Sequence, residues 1–287
     1  MAYECFEIEE VDRVAHVRLN RPDHLNTMIP AFWRELPDII SGISDRGRAR
    51  AIVLSSTGRH FSAGMDLAVF GGGTNLDAAS GAADDTASSE PGRVRANLRT
   101  NVLHLQESFT ALERARMPVL AAVHGGCIGG AVDMVCAADM RYATADAFFC
   151  IQEINIGMTA DVGTLQRLPK LIAEGIVREY AYTGRRMPAA RAYELGFVNA
   201  VFDDHAALLE GVHAVAAEIA SKSPLAVWGS KEMITYARDH SVADGLNYIA
   251  TWQTGMFRPG DMIEEFAAKA ERRSAVHDDL LAVRRGL

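Results

Sequence analysis

The sequence predicts an α/β fold, and three observations carry that expectation. Short β-rich runs alternate with helical patterns, a long apolar stripe recurs at three and four residues, and the chain after about Asp203 is almost wholly helical. Arg13 to Leu19, Arg50 to Ser55, Pro118 to His124 and Ala147 to Ile151 are rich in Val, Ile, Leu or Phe and bounded by turn formers, so they read as strands. Val94, Leu98, Val102, Leu105, Phe109 and Leu112 mark one face of a helix that stops before Pro118; this face is core packing. Leu208, Val212, Val215 and Ile219 mark another in the helical tail. The chain is thereby divided into a body over 1–204 and a helical region over 205–287 that serves as a packing element.

The 287 residues are 49% hydrophobic, enough for a sizeable core in one large domain. A formal net charge of −8 argues against nucleic acid as the main partner, because that binding rests on basic patches that release counterions; any anionic ligand must meet local basic groups. Cys5, Cys127, Cys136 and Cys150 form no CxxC pair, and the nine histidines show no tight metal spacing, so neither a zinc site nor a disulfide scaffold is expected. The start, MAYECFEIEEVDR, is acidic and lacks an apolar signal core, and no apolar run reaches the ~18 residues of a membrane span. A soluble protein resident in the cytoplasm, without membrane contact, is the expectation.

Four segments stand out. QEINIGMTADVG, from Gln152 to Gly163, places Glu153 and Asp161 in a mostly apolar, glycine-interrupted stretch, where an ionised carboxylate costs several kcal/mol unless it is paired or faces water. HGGCIGGAVDM, from His124 to Met134, has four glycines between a strand and a helix, so the backbone can turn sharply and present N–H groups at a helix N-terminus, where negative charge is favoured. It fits neither the dinucleotide nor the P-loop pattern. In RHFSAGMDL, Ser62, Ala63 and Gly64 are small enough for a ligand to approach the backbone, and the Met65 N–H can serve as half of an oxyanion hole. Residues 71–92, GGGTNLDAASGAADDTASSEPG, are small, polar and acidic and read as a mobile loop; surface filler is the simpler reading, a lid over a site beginning at Phe61 the other.

Taken in order, LNRPDHLNTM, HFSAGMDL, AAVHGGCIGGAVDM, TADVGTLQRLPK and SKSPLAVWGSK resemble the crotonase, or enoyl-CoA hydratase/isomerase, superfamily through most of the chain. The resemblance implies a spiral of ββα units with a helical C-terminal region used for trimer formation, and a homotrimer or dimer of trimers. It implies an acyl-CoA thioester as substrate, with no cofactor beyond the coenzyme A it carries. The thioester oxygen would be held by the N–H groups of Met65 and Gly130. Ala63, Gly64, Asp66, Leu67 and Arg21 are the substrate-binding candidates, with Asp66 supplying loop hydrogen bonds rather than chemistry.

Hydratases of the superfamily carry two catalytic glutamates and usually no acid where Asp161 stands. Here the first position is Asp133, the second Glu153, and Asp161 is a third acid, a trio similar to the Δ3,5-Δ2,4-dienoyl-CoA isomerases of fatty-acid β-oxidation. Moving a 3,5-diene into 2,4 conjugation removes a proton from C2 and delivers one to C6, and one carboxylate cannot easily reach both. A spaced base and acid can, each positioned transfer contributing ~10²–10⁴ in rate. Clustered carboxylates also repel, so one should stay protonated while another is ionised. Either Glu153 or Asp161 could take the C2 proton, with Asp133 orienting or tuning both. The alternatives are a hydratase or single-double-bond enoyl-CoA isomerase using Asp133 and Glu153, and a non-catalytic acyl-CoA-binding scaffold. Two departures matter: Asn155 stands where an acid is expected in the animal dienoyl isomerases, and Ala68 stands where some hydratases place a lysine for the CoA phosphates. The second leaves Arg21 or a neighbouring subunit's basic group for that task. His60 and His124, flanking the motifs, read as structural.

Overall fold

The computed structural model describes residues 3–70 and 91–284. Its strands are β1 (Phe6–Val11), β2 (Val14–Leu19), β3 (Ala51–Ser56), β4 (Val119–Val123), β5 (Gly126–Ile128), β6 (Met140–Thr144), β7 (Phe148–Cys150), β8 (Met187–Pro188) and β9 (Ala200–Phe202). Six of them form the central sheet in the order β1-β2-β3-β4-β6-β9, and β5-β7-β8 form a smaller second sheet. All neighbours in the central sheet are parallel except β1 and β2, a hairpin. Its turn residues Asp12 and Arg13 have φ of 48° and 66°, the left-handed pair that matches the twist of the two strands.

Parallel strands need crossovers, and helices supply them. They are α1 (Pro30–Arg46), α2 (Pro91–Arg114) and α3 (Gly130–Cys136), then the short α4 (Thr164–Arg167), α5 (Glu174–Thr183) and α6 (Ala189–Glu194). The tail adds α7 (His205–Ala220), α8 (Pro224–Ala237), α9 (Val242–Met256) and α10 (Pro259–Glu271). Every residue of β3 is buried, because both faces of the sheet are covered. Ile52 and Leu54 join Phe32, Ile40, Phe109 and Leu112 on one face; Ala51 and Val53 join Leu208, Val212 and Ala216 of α7 on the other. The first helix of the tail is thus the cover of the second face of the sheet.

The α2 stripe reaches the core only in the second half of the helix: Phe109 and Leu112 are buried and Leu105 packs against them, while Val94, Leu98 and Val102 stay half-buried outside the core of the described residues. Pro91 and Gly92 form its first turn rather than the end of a loop; the rest of the predicted mobile segment lies outside the described residues. Helices α8 to α10 leave Ile234, Leu246, Ile263 and Phe266 exposed, each above 60%. Beyond α10 the chain runs back across the body: Arg50 donates to the His277 carbonyl, Arg116 to the Leu281 carbonyl, and the Val283 N–H to the Asp45 carbonyl. Among the described residues, no helix is long and apolar enough to cross a membrane.

Candidate active site

The loop that follows β3 is stitched on both sides. Ser62 N–H donates to Gly126 O and Ile128 N–H to Ser62 O, both at 3.1 Å, while Met28 N–H donates to Gly64 O at 2.8 Å and Asp66 N–H to Met28 O at 3.1 Å. A parallel bridge of this kind uses the groups either side of Met65, so the Met65 N–H faces away from Met28. Gly64 has φ 82°, and a Cβ there would stand 2.6 Å from the Ile128 carbonyl oxygen and 3.4 Å from the Gly130 nitrogen. Only glycine lets the two segments approach this closely. Gly130 opens α3, so its N–H is one of those a helix leaves without an internal acceptor. The structure therefore brings Met65 and Gly130 into one place from opposite sides.

Among the other predicted binding residues, Ala63 donates its N–H to Leu25 O at 3.0 Å. Asp66 accepts from Thr27 Oγ1 at 2.7 Å and from the Ala68 N–H at 3.0 Å, and these bonds, Thr27's first, hold its carboxyl below the ordinary range. This is the loop role expected for it. Arg21 Nη1 donates to the Thr27 carbonyl at 2.7 Å, which places a guanidinium at the same loop edge. Leu67 begins the 3₁₀ turn Leu67–Phe70.

Asp133, on the one-sided turn of α3, is fully buried. Its Oδ1 accepts the Thr164 N–H at 2.5 Å, while Oδ2 has no hydrogen-bond partner among the described residues. Burial pushes it up to about 6, against the Thr164 N–H, with the Asp161 charge adding to the rise. Glu153 starts a 3₁₀ turn, Glu153–Ile156, and its Oε1 lies 3.3 Å from where a Cβ on Gly129 would stand; Gly129 has φ 55° and must be glycine. Its Oε2 is buried and unpartnered among the described residues, and burial followed by the Asp133 charge pushes it up to about 7. Asp161 is an exposed residue whose carboxyl is nonetheless raised by partial burial, against its own backbone N–H. Asp161 lies three residues before Thr164, whose N–H binds Asp133, and its charge adds to the rise of both Asp133 and Glu153.

Several residues here escaped the sequence reading. Met28 Sδ lies 3.2 Å and Trp33 3.9 Å from the Cβ that Gly130 lacks, so both wall the glycine turn. Thr164 holds Asp133. Gln106 and Arg167 hold the Asp161 loop by its carbonyls, at 2.7 Å to Asp161 O and 3.4 Å to Val162 O. The signals available were the position of Thr164 and Arg167 in the run TADVGTLQRLPK and of Met28 at the end of LNRPDHLNTM; Trp33 and Gln106 lie in no such run. Asn155 ties the Glu153 turn to the Gly184 carbonyl at 3.0 Å, an anchoring role at the position where an acid was expected. His60 accepts the Gly126 N–H on Nδ1 at 2.9 Å, and His124 pairs with Gly58 O and stacks on His205 at 4.0 Å, so both shape the loops. Among the described residues, no group of three His, Cys, Asp or Glu side chains could hold a metal ion.

The family model described as enoyl-CoA hydratase/isomerase matches residues 9–279. A mitochondrial Δ3,5-Δ2,4-dienoyl-CoA isomerase of Mus musculus is 45% identical over 273 residues, covering 94% of this chain and 81% of that protein. A peroxisomal protein of the same name from Arabidopsis thaliana is 38% identical, covering 95% and 98%. A solved enoyl-CoA hydratase from Bacillus anthracis superposes with TM-score 0.80 at 27% identity over 96% of this chain and 99% of that one, and one from Mycobacterium marinum with 0.78 at 29% over 95% and 98%. The expectation of cytoplasmic residence is overturned by these relatives, which are named as mitochondrial or peroxisomal. An acidic start with no apolar signal core speaks only to secretory export, so it never distinguished the cytoplasm from an organelle. With the family model spanning nearly the whole chain, the fold shared at this level and the glycine turn and acids in family order, the protein belongs to the enoyl-CoA hydratase/isomerase family.

Proposed function

We propose that this chain is a dienoyl-CoA isomerase of fatty-acid β-oxidation, moving the double bonds of a 3,5-dienoyl-CoA into 2,4 conjugation. The relatives that carry this name support the reaction class. The observation that carries the reading is the third acid: Asp161 stands on the loop whose Thr164 N–H binds Asp133 at 2.5 Å, where a hydratase needs only two acids.

The thioester oxygen sits between the Met65 and Gly130 N–H groups, and C2 is one bond from the carbonyl carbon. The carboxyl packed against the Gly129–Gly130 turn is that of Glu153, so Glu153 takes the C2 proton. The electron pair left behind spreads onto the oxygen, and two preorganised donors stabilise that charge at about 3–4 kcal/mol each. As the pair returns along the chain, C6 takes a proton from Asp161. Glu153 ends protonated and Asp161 ionised, and the cluster, titrating as a unit, returns the proton through itself or solvent. Asp133 contributes a nearby partial charge that keeps Glu153 basic. Arg21, or a basic group of a neighbouring subunit, meets the CoA phosphates.

The assembly we infer is a homotrimer or a dimer of trimers. The exposed apolar side chains of α8 to α10 border a groove of about 930 Å³ lined by Leu225, Met233, Leu246, Ile249 and Trp252, and burying such surface yields ~25 cal/mol per Å². A hydratase is the second reading, favoured by the Asp133 and Glu153 pair. Asp161→Asn separates the two: turnover of 3,5-dienoyl-CoA should fall at least ~10² if Asp161 is the acid. Full activity of that variant on the diene would remove Asp161 as the acid, and efficient hydration of a 2-enoyl-CoA by the parent would favour the hydratase.

A further inference from the structure

Asp161 opens the loop that leads to Thr164, and the direction of its side chain follows the local backbone. That backbone is gripped from one helix. Gln106, Thr110 and Glu113 lie at spacings of four and three on α2, hence on one face. Gln106 Nε2 donates to the Asp161 carbonyl at 2.7 Å. Thr110 Oγ1 and Glu113 Oε2 accept from Arg167 Nη2 at 3.1 and 2.9 Å, and Arg167 Nη1 reaches the Val162 carbonyl at 3.4 Å. Gly163, with φ 137°, has no room for a Cβ, which would stand 1.8 Å from Arg167 Nη1. On the other side of the loop, the Thr164 N–H is bound to Asp133. The run from Asp161 to Thr164 is therefore held along its length, and among the described residues Gln106 makes the one hydrogen bond to Asp161 from another element.

We propose that Gln106 is a positioning residue for the isomerisation, setting the Asp161 carboxyl through the Asp161 carbonyl; the inference rests on the role given to Asp161 above. Glu113 binds both Arg167 and Arg238, so loss of Glu113 or Arg167 would disturb more than the loop. Among the described residues the Gln106 side chain makes no such second bond. Displacement of an acid by a fraction of an ångström to one ångström costs up to ~10² in rate, and a softened rather than removed restraint should cost about tenfold.

The test uses the full-length protein with 3,5-dienoyl-CoA. Gln106→Ala, and the isosteric Gln106→Glu that turns a donor into an acceptor, should each lower kcat about tenfold with KM within about twofold of the parent. In an Asp161→Asn background Gln106→Ala should lower kcat no further, because the group it orients no longer donates. If the parent does not isomerise the diene, the functional reading fails and this inference falls with it. If the parent is active and both single variants keep its kcat, or if Gln106→Ala costs the same tenfold in the Asp161→Asn background, Gln106 is not positioning Asp161.

Discussion

Replacing Asp133 with Asn should change how stability depends on pH. In the folded protein this carboxyl is pushed up to about 6 from an ordinary 3.8, because burial strips its charged form of water, and Oδ2 has no partner among the described residues to offset that. A folded value above the unfolded one means that the native state holds the proton more tightly. The stability it contributes is complete below about pH 3.8 and is lost as pH rises through about 6. A shift of roughly two units corresponds to about 3 kcal/mol over the whole window, and about 1.4 kcal/mol of it falls between pH 5 and pH 8. Asn keeps an oxygen for the Thr164 N–H and carries no charge at any pH. Whatever its amide costs, that cost is the same at both pH values and cancels in the difference. Urea unfolding at one fixed subunit concentration, followed by circular dichroism at pH 5 and pH 8, should therefore show the variant gaining about 1.4 kcal/mol on the parent between the two. Equal pH dependence of variant and parent would refute the claim that Asp133 is a strained, buried acid.

Other expectations can be checked alongside it. Gly64→Ala forces a Cβ to within 2.6 Å of the Ile128 carbonyl at a φ of 82°, so kcat/KM on the diene should fall at least ~10-fold with circular dichroism unchanged; parental kcat/KM would remove Met65 from the oxygen site. Lys231→Met strands the Leu112 and Met117 carbonyls and breaks the 2.8 Å contact with Asp139. Asp139 keeps the Val119 N–H and some solvent, so the loss in a urea titration should be about 2–3 kcal/mol, the low side of a broken buried pair. Phe266→Glu together with Ile234→Glu should convert a trimer-sized species to monomer in light scattering, whereas a parent that is already monomeric at micromolar concentration would rule out the assembly.

What could be read from sequence follows from how local each signal is. β3 was plain because AIVLSS is buried on both faces and so is a continuous apolar run. β1 was passed over because FEIEEV is an edge strand whose outer positions carry Glu7, Glu9 and Glu10. β5 and β8 have three and two residues, too few for any periodicity to register. The acids were found through motif order, and the meeting of Met65 with Gly130 through the glycines that permit it. Gln106 was invisible, since its partner is a main-chain carbonyl 55 positions later and any residue there would offer one. The role of α7 as a lid on the sheet was equally hidden: an apolar stripe says that a face is buried, and nothing about what buries it.

The strand of chain that returns over the body has a consequence for synthesis. Arg50 is buried with its guanidinium bonded to the Ala220 and His277 carbonyls, the second of them 227 positions later. At ribosomal speeds that separation is roughly ten to fifty seconds. Until residues 277–283 emerge, a cationic side chain destined for the interior has only the Ala220 carbonyl as acceptor, and the turn between Asp45 and Arg50 stays open to water. The body of the protein can collapse early, yet it closes only once residues 277–283 have been made, and chaperones holding the nascent chain would find that turn still exposed until then.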